Sequence, residues 1–169
     1  GLLLCGVDPA PLLEGGTGSE SRRQSMPDFL PDRLEAGTHN VAGIAGLLEG
    51  LRYVNNLGVE NIAAQEAGLI RSMGKGLRAI SGVTAFQAED PAVQSGVLSF
   101  CMKGRDCEEV GEALGSRGIA LRAGLHCAPL AHETVGTLET GALRASVSAF
   151  NTEREIGQFL RTLGEIAGA

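Results

Sequence analysis

Arg122-Ala123-Gly124-Leu125-His126-Cys127-Ala128-Pro129 sets a cysteine in a glycine-bearing loop, with a histidine beside it and an arginine five residues upstream. The thiolate is the nucleophilic form of cysteine, and positive charge with partial exposure favours it. Arg122 and His126 are the expected sources of that positive field. Taken alone, a cysteine in a chain of this size is more often a small buried hydrophobe than a reagent; the motif around Cys127 reverses that reading. The other three thiols have no such setting. Cys5 and Cys101 fall in apolar runs and Cys107 opens a polar helix, so all three read as structural or incidental.

Outward from this loop the pattern is one of short apolar runs broken by turn signals, Ser81-Gly82 and Asp90-Pro91 among them. Strands are expected at Val83–Phe86, Gly96–Met102, Ile119–Arg122 and Ala142–Ala149, and helices at Asp106–Ser116 and Glu153–Ala167. Thr152 followed by Glu155 has the spacing of a capping box. Two helices on one face of a small, mostly antiparallel sheet make an α+β unit. Upstream the period is helical. Asn40 is the expected cap of a helix carrying Val41, Ile44, Leu47, Leu48, Leu51 and Val54 and ending near Asn56–Gly58. A longer helix is expected from Val59 to about Ile80, although Gly68, Gly74 and Gly76 weaken it. Asp8 to Pro31 is rich in Gly, Ser and Pro and reads as a loop.

The chain opens on Gly1-Leu2-Leu3-Leu4-Cys5, without an initiator methionine, a basic n-region or a cleavage signature. This apolar run fits a buried strand of a sheet whose other strands lie elsewhere, and the chain reads as the tail of something longer. The expected organisation is a remnant strand and active-site loop over 1–40, connecting helices over 41–80, and a small α+β domain over 81–169.

Length and composition bound the function. A chain of 169 residues can bury roughly 70% of the surface its unfolded form exposes, enough for a real core. Hydrophobic residues make up 43%, and no apolar run in the sequence approaches the roughly 20 residues of a membrane span. The net charge of −6 and the presence of only two lysines, Lys75 and Lys103, argue against nucleic acid, because phosphate binding rests on clustered Lys and Arg. Four cysteines without paired CxxC spacing suggest neither a disulfide framework nor a zinc site, and a reducing cytoplasm is the expected compartment. A metal site from Cys127, His126 and His132 is the weakest reading, since adjacent residues rarely ligate one ion together.

Several landmarks occur together and in order: Gly15-Gly16-Thr17-Gly18-Ser19, then Arg33 to Asn40, then Arg122 to Pro129, then Leu143-Arg144-Ala145-Ser146 with Phe150-Asn151-Thr152. On these the chain resembles the C-terminal part of a cysteine desulfurase of the class V aminotransferase family, enzymes that use pyridoxal phosphate to remove sulfur from L-cysteine. The resemblance implies the small C-terminal domain of a fold-type I enzyme, preceded by helices and a remnant strand of the large domain. It implies that Cys127 is the catalytic cysteine, which attacks the substrate sulfur and keeps it as a persulfide while the carbon skeleton leaves as alanine. Arg144 looks like the arginine that grips the substrate carboxylate, a task suited to its planar fork, with Arg122 assisting. Thr38 is similar to the threonine that reaches across a homodimer interface to the phosphate of the neighbour's cofactor. His126 either tunes the thiol or orients the loop.

Bland readings stand beside these. Arg144 in an apolar strand either faces solvent or meets an anion; Arg122 serves as well for a structural carboxylate, and Thr38 as a turn residue before the Asn40 cap. The glycine run lacks the lysine and the context of a phosphate-binding loop and reads as a hinge. The family's Schiff-base lysine is expected upstream of Gly1, and neither Lys75 nor Lys103 has its flanking pattern. The resemblance therefore implies that activity belongs to the complete homodimer, with L-cysteine as substrate and a protein or small thiol as sulfur acceptor, and that this chain alone is inactive. The alternatives are a non-catalytic module that accepts sulfur or mediates interactions, or a related selenocysteine lyase or class V aminotransferase. The resemblance implies a basic residue at the position where this chain has Glu133.

Overall fold

In a computed structural model, residues 2–20 and 22–168 are described, and the chain divides into two compact units, Gly1–Leu57 and Gly58–Ala169. In the first unit a 3-10 turn at Asp32–Leu34 precedes helix α1, Val41–Leu57. Asn40 starts α1 as its sequence suggests: its side-chain oxygen accepts from the Gly43 amide at 2.9 Å, satisfying one of the orphan donors of the first turn. The loop before it is held by local bonds, among them Arg23 to Glu20 and Asp28 and Arg33 to Asp8. None of the α1 residues is buried.

The remnant strand does not form. Gly1 lies outside the described residues, and Leu2 to Cys5 are irregular and exposed. A strand needs a neighbour to take up its amides and carbonyls, and none of the described strands pairs with this segment.

The second unit is α+β. Helix α2 (Val59–Ala79) leads into a four-stranded antiparallel sheet of order β1-β2-β4-β3, built from β1 (Val83–Phe86), β2 (Val97–Met102), β3 (Arg122–Gly124) and β4 (Ala142–Ser146). Helix α3 (Cys107–Gly115) precedes β3, the short α4 (Pro129–Val135) lies between β3 and β4, and α5 (Glu153–Gly168) closes the chain. Side chains alternate across a strand, so Leu98, Phe100 and Met102 of β2 point to the core while Ser99 and Cys101 point away. Leu143 and Ala145 of β4 join the core face, and Arg144 joins the other.

Three helices rather than two cover the core face: Leu69, Ile70, Met73 and Leu77 of α2, Val110 and Leu114 of α3, and Ile156, Phe159, Leu163 and Ile166 of α5 are all buried there. The Phe100 and Phe159 rings meet at 5.8 Å, tilted by 58°, a favoured aromatic geometry. Burying each such side chain is worth about 1.5–3 kcal/mol. This packing is why α2 falls in the second compact unit: it carries core residues and packs with the sheet. Gly76 lets it do so, because a Cβ there would run into the Leu160 side chain of α5.

Strand ends move by a few residues. The expected Ile119–Arg122 strand begins at Arg122, and Ala142–Ala149 stops at Ser146, where Asn151 accepts from the Ser148 amide and turns the chain into α5. The capping box is present, with Glu155 accepting from the Thr152 amide at 2.8 Å and holding its own carboxyl below the usual range as a result. Helix α4 has no counterpart among the sequence expectations. No helix among the described residues is long and apolar enough to cross a membrane.

Candidate functional site

The sheet face turned away from the core carries the charged residues. Register places Phe86 beside Ser99, Ser99 beside Arg144, and Arg144 beside Arg122, a single row across all four strands. Directly opposed residues of an antiparallel pair hold their Cβ atoms about 4.5–5.5 Å apart, and like charges so placed repel. No carboxylate among the described residues pairs with either guanidinium, and Arg144 Nε is buried without a hydrogen-bond partner. Two facing guanidiniums with an unspent buried donor have the chemistry to take an anion, best a carboxylate able to accept parallel hydrogen bonds.

Cys127 lies on a tight turn that leaves this row. Ala128 N donates to Leu125 O at 2.9 Å, and the two central residues, His126 and Cys127, have φ of 54° and 58°. This is the left-handed backbone that hairpin turns usually reserve for Asn and Gly; for His and Cys it stores strain of about 1–2 kcal/mol per residue. Pro129 then occupies the first position of α4, where its missing amide hydrogen costs nothing. The result is a thiol held out into solvent.

His126 does not supply the positive field expected of it. Burial, and after it the charges of Arg144, His132 and Arg122, pull its pKa down, against one opposing contribution from the Arg122 carbonyl. His126 Nε2 lies 3.2 Å from that carbonyl oxygen, to which it must donate. The field at the loop therefore comes from the arginines, and His126 is a neutral base. Its ring packs against His132, centroids 5.9 Å apart. His132 and Thr137 are the two buried polar residues among those described, and together with Phe86, Val97, Ser99 and Ala142 they line a cavity of about 250 Å³ on the arginine face. The sequence offered a signal for this part in Pro129 and Gly136, which bracket a helix of only seven residues.

Cys5 is exposed rather than held in a strand, while Cys107, the first residue of α3, is buried. Cys101 is partly buried, and that burial raises its pKa.

Within the first unit, Thr38 and the glycine run come together. Gly37 N donates to Gly16 O at 2.8 Å, and Gly16, Thr17, Gly18, Gly37, Thr38 and His39 line a concavity of about 320 Å³. Gly37, at φ of 94°, leaves the Thr38 loop free of a Cβ. Hydroxyls and open backbone suit phosphate oxygens, so these residues fit the phosphate end of pyridoxal phosphate. None of the residues lining the concavity carries the amine that the aldehyde end would need. His39 is occupied by Glu35 at 2.8 Å.

The sequence model of the aminotransferase class-V family matches residues 7–159. A protein of Mycolicibacterium paratuberculosis named probable cysteine desulfurase is 44% identical over 137 residues, which is 81% of this chain and 19% of that protein. One of the same name from Methanothermobacter thermautotrophicus is 34% identical across 99% of this chain and 44% of its own length. Among solved structures, the apo cysteine desulfurase of Thermococcus onnurineus NA1 superposes with a TM-score of 0.80 at 30% identity, covering 94% of this chain and 39% of that one. The chain thus spans less than half the length of each of these relatives.

Proposed function

From a chain that belongs to the class V aminotransferase family, we propose that the complete protein is a pyridoxal-phosphate-dependent cysteine desulfurase and that this chain carries its nucleophile and its carboxylate clamp. The observation that supports it best is the pairing of Arg122 with Arg144 on one sheet face, next to the strained turn that exposes Cys127. The relatives' shared name points the same way.

In this reading Arg144 takes the α-carboxylate of L-cysteine in a two-pronged bond, and Arg122 adds a second cation opposite it. Anchoring the carboxylate brings the substrate sulfur to the Cys127 loop, so that attack becomes effectively unimolecular. Cys127 Sγ, as thiolate, forms the S–S bond while the substrate C–S bond breaks. The persulfide stays on Cys127, the electron pair stays with carbon, and protonation there gives alanine. Bound pyridoxal phosphate supplies the electron sink for that carbon. Thr38 would hold its phosphate across a homodimer interface, and neither Lys75 nor Lys103 has the flanking pattern of the family's anchoring lysine. The persulfide passes to an acceptor protein or thiol, and the four free cysteines agree with a reducing, cytoplasmic setting.

Mass mapping of the complete enzyme after incubation with L-cysteine tests the reading. Added sulfur is expected on the Cys127 peptide and lost in Cys127→Ser. Arg144→Gln is expected to raise KM for L-cysteine by at least an order of magnitude, since a charged hydrogen bond is worth about 1.5–3 kcal/mol. Sulfur carried by Cys5, Cys101 or Cys107 instead, or no sulfur at all, refutes it.

A further inference from the structure

We propose that Ser99 is a substrate-binding residue: its hydroxyl donates to the same carboxylate that Arg144 grips, and with Arg122 it completes a three-sided cradle across β2, β4 and β3. The proposal rests on the desulfurase reading and gives the clamp a neutral third donor.

The order of the row sets the geometry. Ser99 pairs directly with Arg144, and Arg144 with Arg122, so Arg144 stands in the middle with one donor on each side. Directly opposed residues leave the same face of the sheet with Cβ atoms about 4.5–5.5 Å apart. A serine hydroxyl lies one bond beyond its Cβ, so the Ser99 oxygen stays beside the Arg144 arm whichever rotamer it takes. A carboxylate offers two oxygens, each accepting at about 2.7–2.9 Å from a charged donor, and it bridges neighbours of this kind without moving the strands.

Both groups are unspent. Among the described residues the half-buried Ser99 hydroxyl makes no hydrogen bond, and Arg144 Nε is buried without a partner. A buried donor left unpaired carries a desolvation penalty, which a ligand shared with the neighbouring hydroxyl removes. Ser99 also faces open space, because it lines the cavity of about 250 Å³ on this face. The two buried polar residues of that lining, His132 and Thr137, are held by each other at 2.7 Å and do not compete for the ligand. Beyond Ser99 the row ends in Phe86 of β1, whose side chain has no hydrogen bond to offer. The character of the ligand follows from this set. Guanidiniums only donate and a hydroxyl can donate, and no carboxylate among the described residues pairs with either arginine. Such a set repels a cation and favours a planar, two-oxygen acceptor. A serine that merely packs in its strand could become alanine at no loss to an anion, and that difference is measurable.

The Nε–H proton of Arg144 reports binding without turnover. In nitrogen-edited NMR of this chain, sodium acetate is expected to shift that signal saturably, and sodium chloride at the same ionic strength to leave it in place. Ser99→Ala is expected to weaken acetate binding about tenfold, as for one hydrogen bond to a charged group, and Ser99→Thr to restore it. Ser99→Asp is expected to move the Arg144 signal with no acetate present, since its carboxylate lies beside the guanidinium, and to abolish the acetate shift. In the complete enzyme, Ser99→Ala is expected to raise KM for L-cysteine by the same factor. An acetate dissociation constant unchanged in Ser99→Ala, an Arg144 signal unmoved by Ser99→Asp, or a wild-type signal unmoved by acetate each overturns the proposal. Should Ser99→Ala fail to fold, the wild-type signal and Ser99→Asp still decide. A complete wild-type enzyme that yields no alanine refutes the desulfurase reading alone, because acetate binding judges the cradle by itself.

Discussion

Cys127 occupies a backbone conformation that costs free energy and returns no packing, since its side chain is exposed and its φ is 58°. Strain at a solvent-facing residue persists only when something other than stability requires it. Cys127→Gly is therefore expected to raise the unfolding free energy by about 0.5–1 kcal/mol, because relief of about 1–2 kcal/mol exceeds the entropic cost of glycine, about 0.5–1 kcal/mol. Urea unfolding checks this; an unchanged or lower midpoint would mean that the turn is not strained. The neighbouring residue gives a pH signature. His126 has a pKa below its ordinary 6.5 in the folded state, so on acidification the unfolded chain takes the proton first. Stability from this group is complete above the ordinary value and declines as the pH falls from there toward the folded-state pKa. The urea midpoint of the wild type is expected to drop through that window more steeply than that of His126→Gln, and parallel curves would show that His126 is not buried against positive charge.

At the scale of elements, caps and cores carry separable amounts. Asp106 accepts from the Glu108 and Glu109 amides at 2.8 and 3.1 Å and so starts α3, whose Val110 and Leu114 are buried under the sheet. Asp106→Ala is expected to cost about 1 kcal/mol in urea unfolding. A loss within error would mean that α3 is held by its packing alone. The Asn40 cap and the Thr152–Glu155 box were legible in the sequence because capping is a local rule, whereas Asp106, read there as the first helical residue, is the cap itself. Also legible were β1, β2 and α5, whose periods are strong. Helix α4 was not legible: seven residues are too few to show a helical period, and its evidence is a proline and a glycine that also mark plain turns. The glycines of α2, which weaken but do not break the expected helix, have a reason the sequence does not show. Gly76 weakens the helix by propensity, yet its value is the close approach of α5, which only the packed structure reveals. The same limit applied to the site. The loop around Cys127 could be read as chemistry from its residues, whereas the pairing of Arg122 with Arg144 depends on register between strands about twenty residues apart, and the neutral state of His126 depends on which charges that register brings near.

For the molecule as a whole, the two units differ in what holds them. The second has sixteen buried residues in one cluster, whereas α1 of the first has none, although Ile44, Leu47, Leu48 and Leu51 form an apolar row along it. Isolated helices of fewer than about 12–15 residues are marginal in water, and even longer ones draw most of their stability from packing. Opening free energy follows buried contact rather than helix length, so α1 and α2, of 17 and 21 residues, should behave differently despite their likeness in sequence pattern. Hydrogen exchange read by mass spectrometry is expected to show the α1 amides exchanging far faster than those of α2, α5 and β2, with protection in 58–168 lost together near the global unfolding free energy. If α1 is instead as protected as α2, its apolar row is covered in solution. Dilution then separates the two explanations: protection that falls with concentration means that another copy of the chain covers it, and protection that does not means that the row is buried within one molecule.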